Sequence, residues 1–386
     1  MPVGVDEVVA RIIGVVGRHP ELTAAAVVSV LAVGSGGYAL KRLTRPMGRR
    51  FVEAVSEREE IAVLTHPNPD PDAMAAAMGV ARIADELGVD ATIQFAGQIR
   101  HQENRAFRNL LEVELVQVEK ASELAAEAVV LVDHNEPRGF TGAEAVIPFA
   151  VVDHHPGEGS GERFTDVRTE YGACSTIVAE YFRDLDAVPV PPERHESEMN
   201  ATYTIPSKVA TGLLFGVLTD TNDLTSGASD ADFDASRYLH PGVDESCLER
   251  IANPQVSADV LETKARAIEN RTVDGPFAIS DVGVLSNVDA IPQAADELIQ
   301  LEGVTAAVVY GECDGTVYLS GRSRDDRVNM GQALEAAVSD LPNASAGGHA
   351  RMGGGQIGLR DDATAVAADH RAALVDRLFE ALEGDV

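Results

Sequence analysis

Between residues 51 and about 240, short apolar runs alternate with stretches of helical period. Ile61–Leu64, Val129–Val132 and Phe149–Val152 are continuous apolar runs, and Ala91–Phe95 is mostly apolar. Their length and composition predict strands buried on both faces. Asp72–Leu87, Glu103–Leu111, Ser175–Leu185 and Val209–Leu218 read as helices. This alternation predicts an α/β unit over 51–235: a parallel sheet covered by helices on both faces, with its site at the carboxyl ends of the strands. The proline-rich stretch from Val188 to Thr204 reads as a surface loop. Residues 236–272 read as a helical connector. A smaller α/β unit follows over 273–386, with strands at Ala278–Leu285, Ala306–Tyr310 and Val317–Gly321 and helices at 290–302, 328–341 and 363–383.

Residues 1–50 differ from the rest. The 19 residues from Leu22 to Leu40 carry no charge, close to the ~20 needed to cross a bilayer core. Lys41, Arg42, Arg45, Arg49 and Arg50 follow, which would keep the remainder on the cytoplasmic side. The segment therefore reads as an apolar helix anchoring the chain to the cytoplasmic face of the cell membrane, with 5–17 as an interfacial helix before it. An Ala-rich soluble helix, or a Gly-rich turn, is the competing reading, and it would leave the protein cytoplasmic.

Charge changes the picture further. There are 62 acidic residues against 31 basic, for a net charge of −31. The acids are spread along the chain, so this is no acidic tail. Such a surface suits high salt, where screening weakens self-repulsion, and we expect a halophilic protein. It also argues against duplex DNA as a partner. A small phosphorylated substrate stays compatible if metals or local arginines offset the field. Cys174, Cys247 and Cys313 are isolated, which points to a reducing interior.

Candidate chemistry gathers after the apolar runs. Ile61–Leu64 leads into Thr65-His66-Pro67-Asn68-Pro69-Asp70-Pro71-Asp72, a loop stiffened by three prolines. Alone it could be half of a metal site or a turn whose Asp caps the next helix. Three further apolar runs each deliver an Asp: Asp133 in Asp133-His134-Asn135-Glu136, Asp153 in Asp153-His154-His155, and Asp220 in Thr219-Asp220-Thr221. If all four are ends of neighbouring parallel strands, several carboxylates and two imidazoles converge. Their like charges would repel one another unless cations intervened, and two divalent metals would provide that and clamp a phosphoryl displacement.

The motif series His-x-Asn-Pro-Asp-x-Asp, strand-end Asp, Asp-His-His and a later Asp resembles motifs I to IV of the DHH phosphoesterase superfamily over about residues 55–225. The resemblance implies that His66, Asp70 and Asp133 hold one metal, and that Asp72, Asp133, His154 and Asp220 hold the other. Asp133 would bridge the two ions and be central to catalysis. His155 would lie near the scissile phosphate as an orienting donor or acid, with Asp153 fixing ring orientation. Mn2+ is the common metal of this superfamily, and Mg2+ or Co2+ suit the same donors. A bridging hydroxide would be the nucleophile. His134 and Glu136 could support this site or merely complete a turn.

In the second unit, Leu319-Ser320-Gly321-Arg322-Ser323-Arg324 and the Gly-rich stretch around Gly347-Gly348-His349 resemble the DHHA1 domain. The resemblance implies that Arg322 and His349 contact substrate phosphate or a terminal nucleotide, with Gly347 and Gly348 allowing close approach and Arg324 and Arg351 nearby. The stretch departs from the common form: Ala346 precedes the glycines, and Arg-Met-Gly follows. Together the two halves predict a metal-dependent hydrolase of phosphodiester bonds in short oligonucleotides (nanoRNA) or linear or cyclic dinucleotides, with a homodimer as a weaker implication. The alternatives are a 3′-phosphoadenosine 5′-phosphate phosphatase, a family II-like inorganic pyrophosphatase and a membrane-tethered nucleotide sensor. The second motif, Asp133-His134-Asn135-Glu136, resembles that of the pyrophosphatases. Their C-terminal domain bears a lysine, however, and no Lys follows Lys264 here.

Overall fold

A computed structural model describes residues 45–99, 101–325, 327–359 and 368–384. The expected membrane anchor over 22–40 and the interfacial helix over 5–17 lie outside the described residues. Among the described residues no helix is long and apolar enough to cross a membrane.

The chain divides into two compact units, with the boundary between Asn253 and Pro254. The first opens with α1 (Met47–Val55) and contains a six-stranded sheet of β1 (Glu60–Thr65), β2 (Asp90–Phe95), β3 (Val116–Gln117), β4 (Val129–Val132), β5 (Ala150–Asp153) and β6 (Phe164–Val167). The strand order is β3-β2-β1-β4-β5-β6, and every pairing is parallel. Order therefore reverses between β1 and β4, and the crevice beyond their carboxyl ends is where such sheets bind ligands.

The side chains explain the layering. Ile61, Val63, Val130, Val132 and Val152 face one way, into a core shared with α1, α2 (Pro71–Glu86), α4 (Cys174–Asp184) and α5 (Ser207–Asp220). A further helix, α3 (Gln102–Leu110), adds Phe107, whose ring lies 6.0 Å from that of Phe215. Ala62, Leu64, Leu131 and Val151 face the other way, against Ala96, Val118, Phe140 and Ala143. That second face departs from the expectation of helices on both sides. The connections from β3 to β4 and from β4 to β5 contain only the single 3₁₀ turns Ala121–Glu123 and Ala143–Ala145, so loops seal it. The Val188–Thr204 loop carries a small parallel pair, β7 (Val188–Pro189) with β8 (Thr204–Ile205).

The expected connector over 236–272 is divided between the units. The helices α6 (Asp230–Leu239) and α7 (Glu245–Ala252) belong to the first, burying Leu239 and Ile251 in its core. Helix α8 (Ala258–Glu269) belongs to the second.

The second unit is a mixed six-stranded sheet of order β13-β14-β12-β11-β10-β9. Its strands are β9 (Arg271–Asp274), β10 (Phe277–Val284), β11 (Ala306–Cys313), β12 (Thr316–Ser323), β13 (Ala344–Gly348) and β14 (Met352–Gly358). Only the β10–β11 pairing is parallel. Helices α9 (Ala290–Leu298), α10 (Met330–Val338) and α11 (Ala368–Glu383) accompany it. Ile279, Val308, Leu319, Leu334 and Leu378 form one of its cores, and Ala278, Val309, Ile291 and Leu298 the other.

Candidate metal centre

Strand register assembles the site. Thr65 of β1 is level with Val132 of β4, and Val132 with Val152 of β5. The residues that follow these level positions, His66, Asp133 and Asp153, therefore leave three adjacent strands side by side.

The loop after β1 is pinned before it reaches the helix. Asn68 adopts a left-handed backbone (φ 57°), which its short polar side chain tolerates. Its amide N–H donates to the Ala96 carbonyl at 2.9 Å, and its Oδ1 accepts from the Gln98 N–H at 2.8 Å. Asn104 donates to the Pro69 carbonyl. The helix cap and a gathering of candidate donors coexist on this loop. Asp70 caps α2 through Oδ1, which accepts from the Ala73 N–H at 3.0 Å, and it turns Oδ2 towards His66 Nε2 at 3.3 Å. Asp72 is fully buried in the first turn of α2. Its two oxygens accept the Cys174 and Ser175 N–H groups at 2.6 and 2.8 Å, a carboxylate held on the positive end of α4.

Asp220 is a correction. Its grouping with the strand ends does not hold: in keeping with the helical reading of Val209–Leu218, it is the last residue of helix α5. The apolar run Val209–Leu218 is buried almost throughout, so its hydrophobicity does not separate strand from helix. The convergence survives because α5 packs against α2 and α4, which brings Asp220 to His154.

Asp133 is the centre. It is 1% exposed, and its Oδ2 lies 3.4 Å from His66 Nε2 while its Oδ1 lies 3.3 Å from His154 Nε2. His154 Nε2 also lies 3.4 Å from Asp220 Oδ2 and 3.9 Å from Asp72 Oδ2. Among the described residues neither oxygen of Asp133 has a hydrogen-bond partner, nor has His154 Nε2, although all three are buried. Buried polar atoms are seldom left so. Two donors each about 2.1 Å from one ion stand about 3.0–3.4 Å apart, so these orphaned atoms fit cations between them. The mixed imidazole and carboxylate donors suit Mn, Zn or Fe. Among the described residues, donor atoms lie within 4.8 Å of one another in the groups His66, Asp70 and Asp133; Asp72, His154 and Asp220; and Asp133, His154 and His155.

The rings are aimed from behind. The Nδ1 of His66 bonds the Pro67 carbonyl at 3.0 Å, and that of His154 bonds the Tyr171 carbonyl at 3.1 Å. Each bond leaves Nε2 for the centre, the usual arrangement behind a metal-bound imidazole. Tyr171 is held in turn. Arg168, paired bidentately with Asp166 at 2.8 Å and also bonded to Glu180, donates to the Tyr171 hydroxyl at 2.9 Å. Neither support was visible in the sequence, because a backbone carbonyl has no residue signature.

Electrostatics follow from crowding. Burial disfavours charge on His66 and His154, yet the carboxylates of Asp133, Asp70 and Asp220 outweigh it and hold both rings up at about 11. Burial also works against a charged Asp133, but His154 and His66 overcome it and keep its carboxyl below the usual range. Asp72 and Asp220 are both pushed up, first by burial and then by neighbouring carboxylates.

His155 stands at the edge of the site with its side chain about half exposed. Its Nδ1 bonds Asp153 Oδ1 at 2.9 Å, which raises its pKa and directs Nε2 away from that carboxylate. Asp153 is completely buried and also accepts the His154 and His155 N–H groups. His134 is buried with Nδ1 on the Val132 carbonyl at 2.9 Å, and burial lowers it to about 4. Glu136 is exposed.

The second-unit residues come together at one end of their sheet. Arg322 pairs in register with Met352, and the Ser323 N–H donates to the Arg351 carbonyl at 2.8 Å. This sets Arg322 and Arg324 beside the turn His349-Ala350-Arg351. Gly347 and Gly348 precede that turn on β13, with His349 exposed. The Arg322 guanidinium already binds Asp296, the Ser320 hydroxyl and the Gly321 carbonyl. The glycines have a structural duty as well. A Cβ on Gly331 of α10 would come within 2.5 Å of the Gly348 backbone, and Gly348 itself has φ 149°. The first N–H groups of α10 are taken by the Ala350 and His349 carbonyls.

Comparison with known proteins agrees with both halves. Residues 60–217 match the DHH family, N-terminal domain, and residues 274–383 match the DHHA1 domain. An uncharacterized protein of Methanocaldococcus jannaschii is 34% identical over 304 residues, covering 78% of this chain and 59% of that protein. The cyclic-di-AMP phosphodiesterase GdpP of Geobacillus thermodenitrificans is 29% identical over 327 residues, covering 78% of this chain and 46% of that protein. The chain thus spans about half the length of these curated relatives. An exopolyphosphatase-related protein from Bacteroides fragilis shares the fold, with a TM-score of 0.63 at 16% identity, covering 88% of this chain and 96% of the other.

Proposed function

The chain belongs to the DHH family, and from that premise we propose that it is a metal-dependent phosphoesterase cleaving phosphodiester bonds of short oligonucleotides or of linear or cyclic dinucleotides. The observation that carries this reading is Asp133, whose two buried oxygens face His66 on one side and His154 on the other with no hydrogen bond to either. His66, Asp70 and Asp133 would hold one divalent cation, and Asp72, Asp133, His154 and Asp220 a second, with Mn2+ the favoured ion. Such ions supply an activated water and offset charge on the phosphoryl oxygens.

The chain's own groups do the rest. Asp133 ties the two halves of the site together. Pro67 and Tyr171 carbonyls fix which nitrogen of each ligand ring faces inward. His155, whose pKa the bond to Asp153 raises, serves as the donor to a phosphoryl or leaving oxygen. Arg322 and His349 would grip substrate phosphate in the second unit, with Arg324, Gly347 and Gly348 beside them. The choice of dinucleotide-sized substrates draws on the relative named as a cyclic-di-AMP phosphodiesterase, which aligns across both units. It draws also on the net charge of −31, which disfavours long polyanions. Adaptation to high salt and attachment to the membrane through 22–40 belong to the same proposal.

A substrate panel tests it. Purified protein with Mn2+ should hydrolyse a linear dinucleotide or a cyclic dinucleotide faster than 3′-phosphoadenosine 5′-phosphate or pyrophosphate. Turnover of pyrophosphate alone would overturn the reading.

A further inference from the structure

Asn135 lies just past Asp133, and the sequence gives it no evident task. In the structure it is 9% exposed and ties the loop after β4 to the loop after β5. Its Nδ2 donates to Asp153 Oδ2 at 2.7 Å and to the His155 carbonyl at 3.3 Å. Asp153 spends its other oxygen on the N–H groups of His154 and His155 and on His155 Nδ1. A continuous chain of hydrogen bonds therefore runs from Asn135 through Asp153 to the His155 ring. The loop beyond Pro156 closes on the same side chain. A Cβ on Gly157 would lie 2.3 Å from Asn135 Oδ1, and one on Gly159 would lie 1.8 Å from the Asn135 carbonyl oxygen. Only residues without a side chain let this loop wrap so closely.

We propose that Asn135 is a positioning residue for His155: by donating to Asp153 it fixes the carboxylate that orients the His155 ring, and by bonding the His155 carbonyl it fixes the backbone that carries it. Two features separate this role from simple packing. The amide donates into a carboxylate oxygen that has no other side-chain donor among the hydrogen bonds described, so removing it leaves that buried oxygen without its donor and loosens the hold on the carboxylate plane. The bond to the main chain of His155 also acts on one residue and not on the cluster around Asp133. The effect therefore falls first on the step His155 serves, because His154, whose N–H Asp153 also accepts, keeps its separate bond to the Tyr171 carbonyl.

This inference rests on the phosphoesterase reading, and the experiment separates the two. With full-length protein, Mn2+ and a linear dinucleotide, N135A should lower kcat about 10–100-fold, leaving KM and Mn2+ affinity within about threefold. H155A should cost at least as much, and the N135A/H155A double variant should be no slower than H155A, because the two act through one ring. N135D should be slower than N135A, since it sets a second carboxylate against Asp153. G159A should lose activity in the same way. Wild-type kcat in N135A, or losses that multiply in the double variant, would overturn the proposal. An arm independent of turnover uses the Mg2+-loaded protein and NMR of the histidine rings. The hydrogen-bonded Nδ1–H of His155 should be seen in wild type and lost or strongly shifted in N135A, with those of His66 and His154 unmoved. If no phosphoester is hydrolysed, the phosphoesterase reading fails while the NMR comparison still decides on Asn135: an unmoved His155 signal refutes the role.

Discussion

The two regions proposed to carry this protein's chemistry are built on opposite plans. Around Asp133, ring orientation is set by backbone carbonyls, and the buried central atoms have no hydrogen-bond partner among the described residues. Around Arg322 and His349 the reverse holds: His349 is exposed, and the guanidinium already has partners in Asp296 and Ser320. The first region is preorganised for ligands that stay. The second offers groups that must be recruited from existing bonds, which suits a ligand that comes and goes.

The largest expected effect breaks the first region. D133N keeps the size of the side chain but removes its charge and one of its oxygens. Turnover should fall by roughly 10³-fold, the loss of several kcal/mol of charge stabilisation, and calorimetry should show weakened Mn2+ binding. Turnover within tenfold of wild type would exclude the bridging role.

Acidity probes the same region more gently. In metal-free protein His66 and His154 are held up at about 11, well above the ordinary 6.5. Their contribution to stability is therefore present in full below about pH 6.5 and is lost as pH rises through 11. Cations need both Nε2 atoms without protons, so binding releases about two protons and tightens as pH rises over that window. Calorimetry in buffers of different ionisation enthalpy measures the release. A value near zero at pH 7 would show that the rings are already neutral.

Smaller effects test the second region. R322A should raise KM about tenfold with little change in kcat, as expected for one charged hydrogen-bonding group lost from binding. D296A, which frees the guanidinium, should leave KM equal or lower. A fall in kcat in R322A with KM unchanged would reverse the assignment. Weakest of all should be the response of the two units to salt once above the range where the net charge of −31 is screened. The melting temperature should climb steeply from low to molar KCl and then flatten, and a flat profile throughout would remove the expectation of salt adaptation.

How much of this could be read in advance depended on whether a residue's role was local. His66 and Asp133 directly follow apolar strands, and Asp70 lies on the short loop after the first, so pattern and spacing pointed to them. The helical reading of Val209–Leu218 holds while the grouping of Asp220 with the strand ends does not, because a buried helix shows no polar stripe to set the two apart. The hairpin of β13 and β14 escaped because Gly347, Gly348 and Gly353–Gly355 carry no apolar alternation. Asn135, Tyr171 and Arg168 act only after register has set β4, β5 and β6 side by side, and no window of sequence contains that information.

The backbone of Asp133 is left-handed, at φ 62°, a conformation that costs most residues about 1–2 kcal/mol and is tolerated by Asp, Asn and Gly. Chirality therefore acts as a filter on this position before any chemistry does. A library randomised at residue 133 and sorted only for folding should return a short alphabet, rich in Gly, Asn and Asp and poor in Val, Ile and Thr. Any experiment that swaps this carboxylate for a β-branched side chain would change two things at once, and only the amide isolates the charge.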